Sequence, residues 1–589
     1  MLVTALTICF SVVTGRLIQL QWVKHEGLSK IVEQNRTELR TLHAGRGDVV
    51  DVRGNLLAGS REVYAVGVDP HSLSEDIKPG KKKKLARILG VEKKTLEKKF
   101  SRRTRLKDGP HGPKPVDVRW VELADQVDQK AYERVQELGI RGVYGNRKFE
   151  RYYPAGETAA HLLGFVNKQG VPVTGIERFM DFYLSGQDGW RRYEEDGKQR
   201  ELVQYRDREI PPRHGFHVEL TIDTMAQHMV EEVMGGLVEK YQPKGATVIV
   251  SEPATGSIIA LANYPSFDPN EYQEYPIGNH RNRAVTDIME PGSTFKAMTV
   301  AAAFNEGLVD PQDRLDVSQE YVEYDGREIS LPSDHKNYDE LSVEEILVKS
   351  SNRGAALLGM LLGEEKLYEY AKAFGFGERT GYGPSAEENG ILHEISEWDG
   401  LTISRMPMGH AVSATPLQIH YAMATIANDG ISVKPRVVKR VFEKGNDAAE
   451  IRFDPKPSSR VLKPRVARNV CEIMTGVASE RGTAKKARIP GFEVAGKTGT
   501  TQKIINGRYS SKHHISSFVG FFPASNPELV ISVFVDDAQM SGYAYGGLVA
   551  APAFRKIGEK LIRYMGIQPV QKEKSQLALE NNDAFDWTN

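Results

Sequence analysis

The stretch "MLVTALTICFSVVTGRLIQLQWV", Met1 to Val23, constrains this chain more than any other. It is apolar apart from Arg16 and two glutamines, and its length matches the roughly 20 residues that cross a bilayer as a helix. A cleaved signal peptide would need a small-residue cleavage site after the apolar run, and "GRLIQLQWVKHEG" offers none. The run therefore reads as an uncleaved single-pass anchor, and everything after it must fold in water on its own core. No Lys or Arg precedes the run, whereas Arg16 and Lys24 follow it. The positive-inside rule alone would not choose an exported body, so either a short basic start precedes Met1 or something other than charge sets the topology.

The body is long enough for two or three domains. Its 78 basic and 78 acidic side chains cancel, which gives no general attraction to nucleic acid. The two cysteines, Cys9 and Cys471, form no Cys-x-x-Cys pair, and no His-rich cluster suggests a metal. No metal or cofactor is expected, and the fold must rest on its core.

Residues 24–218 read as an extended α+β region without a catalytic cluster. "GRGDVVDVRGNLLAGS" (Gly45 to Ser60) predicts two strands joined by a turn. The basic run Lys78 to Lys114 predicts a pair of solvated helices and a Gly/Pro-rich loop, and Ala124 to Gly139 predicts a further helix. After Asp223, a candidate N-cap, apolar residues recur at helical spacing to Tyr241. "GATVIVSEPATGSIIALANYP" predicts a hairpin, and "FEVAGKTGT", "SSFVGFFPAS" and "LVISVFVDDA" predict three more strands. Five strands split between the ends of one region, with helices inserted, predict an α+β domain over 219–566 with one five-stranded antiparallel sheet packed with helices. The polar tail, 567–589, reads as disordered.

In "EPGSTFKAMTVAAAFNEG" (Glu290 to Gly307), Pro-Gly leads into Ser293 and then Lys296 at the head of an alanine-rich helix. A lone Ser-x-x-Lys carries little information, since a chain of this length contains about two by chance. The turn, however, places Ser293 where free backbone N–H groups and the positive dipole end favour an oxyanion. Lys296 returns to the same face one turn later. An ordinary lysine is a poor base near neutrality, so it must be desolvated or lie beside another cation. "VAGKTGTT" supplies one in Lys497, with Thr498 and Thr500 as hydroxyl donors and Gly499 leaving room for a substrate against the backbone. Between them "VKSSNRGAA" offers Ser350 and Asn352, which would otherwise serve as helix caps. The order S-x-x-K, S-x-N, K-T-G is the signature of serine β-lactamases and penicillin-binding proteins.

With these motifs the sequence resembles the class B penicillin-binding proteins, membrane-anchored peptidoglycan transpeptidases. The resemblance runs to about residue 565 and includes "RYYPAGETAAHLLGFVN", "RNRAVTDIMEPGSTFK" and "TPLQIHYAMATIANDG". It implies a penicillin-binding, serine β-lactamase-like domain on a non-catalytic, dimerisation-like pedestal. Ser293 would attack the D-alanyl-D-alanine carbonyl of a stem peptide, with Lys296 as proton acceptor. Ser350 would relay the proton, Asn352 would bind the stem backbone, and Lys497, Thr498 and Thr500 would hold the terminal carboxylate. The backbone N–H groups of Ser293 and Thr500 would form the oxyanion hole.

Among rivals, a class D β-lactamase also carries "STFK", but its second motif resembles S-x-V, and a large pedestal and an anchor are foreign to it. A D,D-carboxypeptidase shares all three motifs. A β-lactam sensor would still acylate. The region before residue 220 shows no glycosyltransferase motif that would make the enzyme bifunctional. "TDIMEPGSTFK" and the single anchor look more like the division-specific than the elongation type. That resemblance implies peptidoglycan stem peptides from lipid II-derived glycan as substrate and β-lactams as ligands. It also implies a SEDS-family polymerase and divisome membrane proteins as partners, no nucleic acid, and a periplasmic catalytic domain on the cytoplasmic membrane.

Overall fold

A computed structural model of the protein describes residues 2–27, 37–73, 77–107, 112–195, 201–202, 208–505 and 507–569. Among these, one helix, Val3–Val23, is long and apolar enough to cross a bilayer, and none of it is buried. It fits a single-pass membrane anchor. Most of the tail, from residue 570 on, lies outside the described residues, while Ile567 is buried in the core of the second unit described below.

The chain forms two compact units. One contains Met1–Gly47, Ser60–Arg151 and Tyr183–Phe216; the other contains Asp48–Gly59, Tyr152–Phe182 and His217–Asn589. Two short segments thus cluster with the second unit although they precede residue 218. The first is held there by Asp51, whose carboxylate accepts from the backbone N–H of Arg53, Asn55 and Thr224 at 2.8–3.0 Å and from the Thr224 hydroxyl at 2.6 Å.

In the first unit the basic helices Pro79–Leu89 and Lys93–Phe100 turn Leu85, Ala86, Leu96 and Phe100 inward, and most of their lysines face solvent. These join Val66, Val68, Leu123 and Val135 in one core. The helix expected from Ala124 starts only at Gln129, because Asp128 caps it by accepting from Ala131 N at 2.8 Å. Ala124 to Val127 belongs instead to the strand Val121–Val127, paired antiparallel with Leu56–Val68.

The second unit is built on a five-stranded antiparallel sheet. Helix α1 (Thr224–Tyr241) is capped by the Asp223 side chain, which accepts from Met225 N and Ala226 N. It leads into the hairpin β1 (Gly245–Ser251) and β2 (Ile258–Tyr264). Helices α2 (Lys296–Asn305), α3 (Val343–Lys349), α4 (Asn352–Ala373) and α5 (Pro416–Ala427) follow. Strands β3 (Ala495–Ile505), β4 (Arg508–Phe522) and β5 (Leu529–Asp536) and helix α6 (Gly546–Met565) complete it. The sheet order is β2-β1-β5-β4-β3, so the first and last thirds of the unit meet through β1 and β5.

Strand alternation divides the sheet into two packed faces. Val248, Val250, Ile531 and Val533 pack with Val230 and Leu237 of α1 and Phe554 and Ile557 of α6. On the other face Ser251 and Ser532 meet His420 of α5, every residue of which is buried. Helix α2 is buried from Lys296 to Phe304.

Candidate active site

Ser293 lies in a single 3₁₀ turn, Gly292–Thr294, that runs directly into α2. Gly292 has φ 55°, and its N–H donates to Gly409 O at 3.0 Å. The turn leans on β3: the Thr501 hydroxyl donates to Glu290 O at 3.0 Å. A Cβ on Gly499 would come within 3.2 Å of Thr294 Cγ2, 3.3 Å of Pro291 O and 2.3 Å of Ser517 Oγ. The glycine therefore makes room for the protein's own Ser293 turn and for β4; the expected open space beside it is filled.

Ser350 and Asn352 come from the junction of α3 and α4. Helix capping, the competing role for this motif, falls to Ser351, whose hydroxyl accepts from Gly354 N at 3.0 Å. Ser350 sits in the left-handed region at φ 62°, ψ 42° and ends α3. That conformation costs a non-glycine residue roughly 1–2 kcal/mol, and it turns both the Ser350 hydroxyl and its carbonyl toward the lysines.

Lys296 Nζ donates to Ser350 O at 2.7 Å, Asn352 Oδ1 at 2.6 Å and Ser350 Oγ at 3.3 Å. Lys497 Nζ donates to Ser350 Oγ at 2.8 Å. Both lysines are fully buried. Burial pushes Lys296 down to about 7, opposed by the Asp334 carboxylate. Burial, and then the positive charge of Lys296, hold Lys497 well below the usual lysine range. A neutral amine at Lys296 can accept a proton near neutrality, which an ordinary lysine cannot. Ser350 Oγ accepts from both lysines and keeps its own proton to give away.

Strand β3 is the edge of the sheet, so alternate backbone N–H and C=O groups from Lys497 to Thr501 have no strand neighbour on one side and can take an extended peptide. Thr500 Oγ1 accepts from Gly546 N at 3.0 Å, at the start of α6, and Thr498 Oγ1 lies 2.8 Å from Thr483 Oγ1. Ser293, Ser350, Asn352 and Thr500 are partly exposed, so hydroxyl and amide groups face the outside over a floor of buried amines.

Two further features escape the motifs. Asp334, in a polar loop, accepts from the Ser351 hydroxyl at 2.6 Å, from Asn352 N and from Arg353 N at 3.3 Å, so one carboxylate fixes the start of α4. Glu290 gathers His410 and Tyr509 beside the Ser293 turn. No local sequence signal marks either, because each depends on residues distant in the chain.

Comparison with known proteins matches residues 246–559 to the penicillin binding protein transpeptidase domain and residues 41–220 to the penicillin-binding protein dimerisation domain. The chain is 31% identical, over 96% of its length and 92% of the relative's, to the probable peptidoglycan D,D-transpeptidase PenA of Neisseria meningitidis serogroup A. It is likewise 31% identical, over 94% of its length and 90% of the relative's, to the peptidoglycan D,D-transpeptidase FtsI of Escherichia coli K12. The crystal structure of a peptidoglycan synthetase from Bifidobacterium adolescentis superposes with a TM-score of 0.70 at 25% identity, covering 91% of this chain and 98% of that one.

Proposed function

The chain belongs to the class B penicillin-binding proteins and is a peptidoglycan D,D-transpeptidase; from that premise we propose that Ser293 is its nucleophile. Lys296, Ser350, Asn352 and Lys497 then complete the catalytic group. The observation that carries this reading is the meeting of Lys296 and Lys497 on Ser350 Oγ, beside a strand edge that packs against the Ser293 turn.

Neutral Lys296 takes the Ser293 proton as Oγ attacks the carbonyl carbon of the penultimate D-alanine of a stem peptide. The oxyanion forms between the backbone N–H groups of Ser293 and Thr500. The C–N bond to the terminal D-alanine breaks. The departing amine receives the Ser350 proton, and Lys296 restores it to Ser350. Lys497, Thr498 and Thr500 hold the terminal carboxylate, Gly499 lets the strand lie close to the Ser293 turn, and Asn352 holds the stem backbone. An amine from a second stem then attacks the ester and loses a proton, and Ser293 leaves with its hydroxyl restored. A β-lactam enters the first half of the cycle, but its leaving amine stays tethered, so the acyl-enzyme persists.

For its place in the cell, the likeness to a peptidoglycan transpeptidase named FtsI supports a septal role. In this reading the anchor crosses the cytoplasmic membrane with the catalytic unit outside it. Partners would be a SEDS-family glycosyltransferase and divisome membrane proteins. The function is tested by supplying a stem-peptide donor ending in D-alanyl-D-alanine with an acceptor amine. Release of D-alanine with formation of the new amide is expected, and hydrolysis without amide formation would point to a carboxypeptidase. Depletion in a rod-shaped host should give filaments; rounded cells would overturn the division role.

A further inference from the structure

Glu290 lies three residues before Ser293, its side chain is 8% exposed, and the acyl-transfer scheme leaves it unused. Its Oε1 accepts from the Tyr509 hydroxyl at 2.9 Å and from Ala411 N at 3.2 Å; its Oε2 makes no hydrogen bond but faces His410 Nδ1 at 3.1 Å, an ion pair when the imidazole is protonated. His410 Nδ1 also lies 3.4 Å from the Tyr509 hydroxyl, with the two rings 5.8 Å apart at 64°. One buried carboxylate thus joins three segments: the turn carrying Ser293, the loop after Met408, and the start of β4.

The backbone of these segments interlocks as well. Met289 and Ala414 exchange hydrogen bonds of 3.0 and 2.8 Å, and Gly292 N donates to Gly409 O. Gly409 has φ 87°, and a Cβ there would lie 2.0 Å from Gly292 O. Burial, and then the Glu290 charge and hydrogen bond, push Tyr509 up to about 12, so the phenol keeps its proton to donate. A core hydrogen-bond set would be closed to solvent. Here the His410 side chain is 28% exposed and Tyr509 is 50% exposed, so the group opens outward next to the nucleophile turn.

We propose that Glu290, His410 and Tyr509 form a clasp that holds the β3–β4 hairpin in register with the Ser293 turn, and that they are positioning residues for acyl transfer. This rests on the reading of Ser293 as the acylated residue. Tyr509 of β4 is paired with Ile504 of β3 near the hairpin end, and β3 carries Thr500 four residues before Ile504. Loosening the hairpin moves the Thr500 N–H relative to Ser293, and a misplacement of about 1 Å at such a donor lowers the chemical step by up to roughly 100-fold. It leaves the encounter with ligand nearly unchanged.

The test uses the full chain in detergent and stopped-flow acylation by a fluorescent penicillin, which separates the binding constant from the acylation rate. Tyr509→Phe, which leaves Glu290 Oε1 its bond from Ala411 N, should lower the melting temperature by no more than about a few degrees and keep the binding constant, while its acylation rate falls about tenfold. His410→Ala should fall similarly. The double variant should be no slower than the slower single one, because both act through Glu290. An unchanged rate in Tyr509→Phe, a loss confined to binding, or effects that multiply in the double variant would each overturn the clasp. Ser293→Ala tells the two readings apart: if it still labels, the acyl-enzyme reading fails, whereas a normal rate in Tyr509→Phe with labelling still dependent on Ser293 sinks only the clasp.

Discussion

Lys296 and Lys497 bring their Nζ atoms to the same hydroxyl, Ser350 Oγ, at 3.3 and 2.8 Å. Two cations so close in a dry site cannot both keep their protons easily. Burial lowers Lys296 to about 7, and burial together with the Lys296 charge holds Lys497 well below the usual lysine range; in the proposed mechanism this leaves Lys296 free to act as the base near neutrality.

Acylation should therefore rise with pH through about 7, where Lys296 loses its proton. Asp334 favours the charged form of Lys296, so Asp334→Asn should move the midpoint to lower pH. The measurement is the acylation rate of a fluorescent penicillin between pH 5 and about pH 9. A profile flat through pH 7, or a shift of the variant toward higher pH, would count against this assignment.

The adjacent serines at the α3–α4 junction should separate cleanly. Ser350→Ala removes the acceptor shared by both lysines and should slow acylation by about 10²-fold or more. Ser351→Ala removes the cap and one hydrogen bond to Asp334, which keeps those from Asn352 N and Arg353 N, and should lower stability by about 1–3 kcal/mol while acylation stays near wild type. Thermal melts and acylation rates on the two variants provide the comparison, and equal kinetic losses would show that the two roles are not divided in this way.

How far the site was legible follows from the range of each interaction. Ser293 and Lys296 share one turn of helix, and Asp223 caps the helix it precedes, so spacing alone reveals them. Lys497 and Ser350 are found by motif order. The S-x-N spacing in "KSSN" selects Ser350, but that Ser351 takes over the capping while Ser350 turns to the lysines depends on one left-handed residue, φ 62° at Ser350, which the spacing does not reveal. Asp334 and Glu290 act through partners brought in by the fold, and Gly499 is explained by Ser517 and Thr294, which only the packed sheet brings together. The strand that displaced the start of the helix expected from Ala124 shows pairing with a distant segment outweighing local helical pattern.

His420 and His161 are buried in their neutral forms, with burial pushing them down to about 3 and about 4. In the unfolded chain both return to about 6.5. As pH falls below 6.5 the unfolded state takes up protons that the folded state refuses, so stability falls by up to about 1.4 kcal/mol per pH unit for each histidine. His420→Leu strands the Ser251 and Ser532 hydroxyls, which hydrogen-bond His420 at 2.6 and 2.7 Å. It should be less stable at pH 7 by about 1–3 kcal/mol, yet lose stability less steeply between about pH 6.5 and pH 4. Calorimetric melts across that range read both effects, and parallel slopes for variant and wild type would show that His420 is not the source.

The most direct measurement is intact-protein mass spectrometry after reaction with benzylpenicillin, followed by peptide mapping of the adduct. One drug mass should be added, all of it on the peptide containing Ser293, with none on Ser293→Ala. An adduct on another residue, or an equally labelled Ser293→Ala protein, would contradict the assignment of Ser293 as the nucleophile.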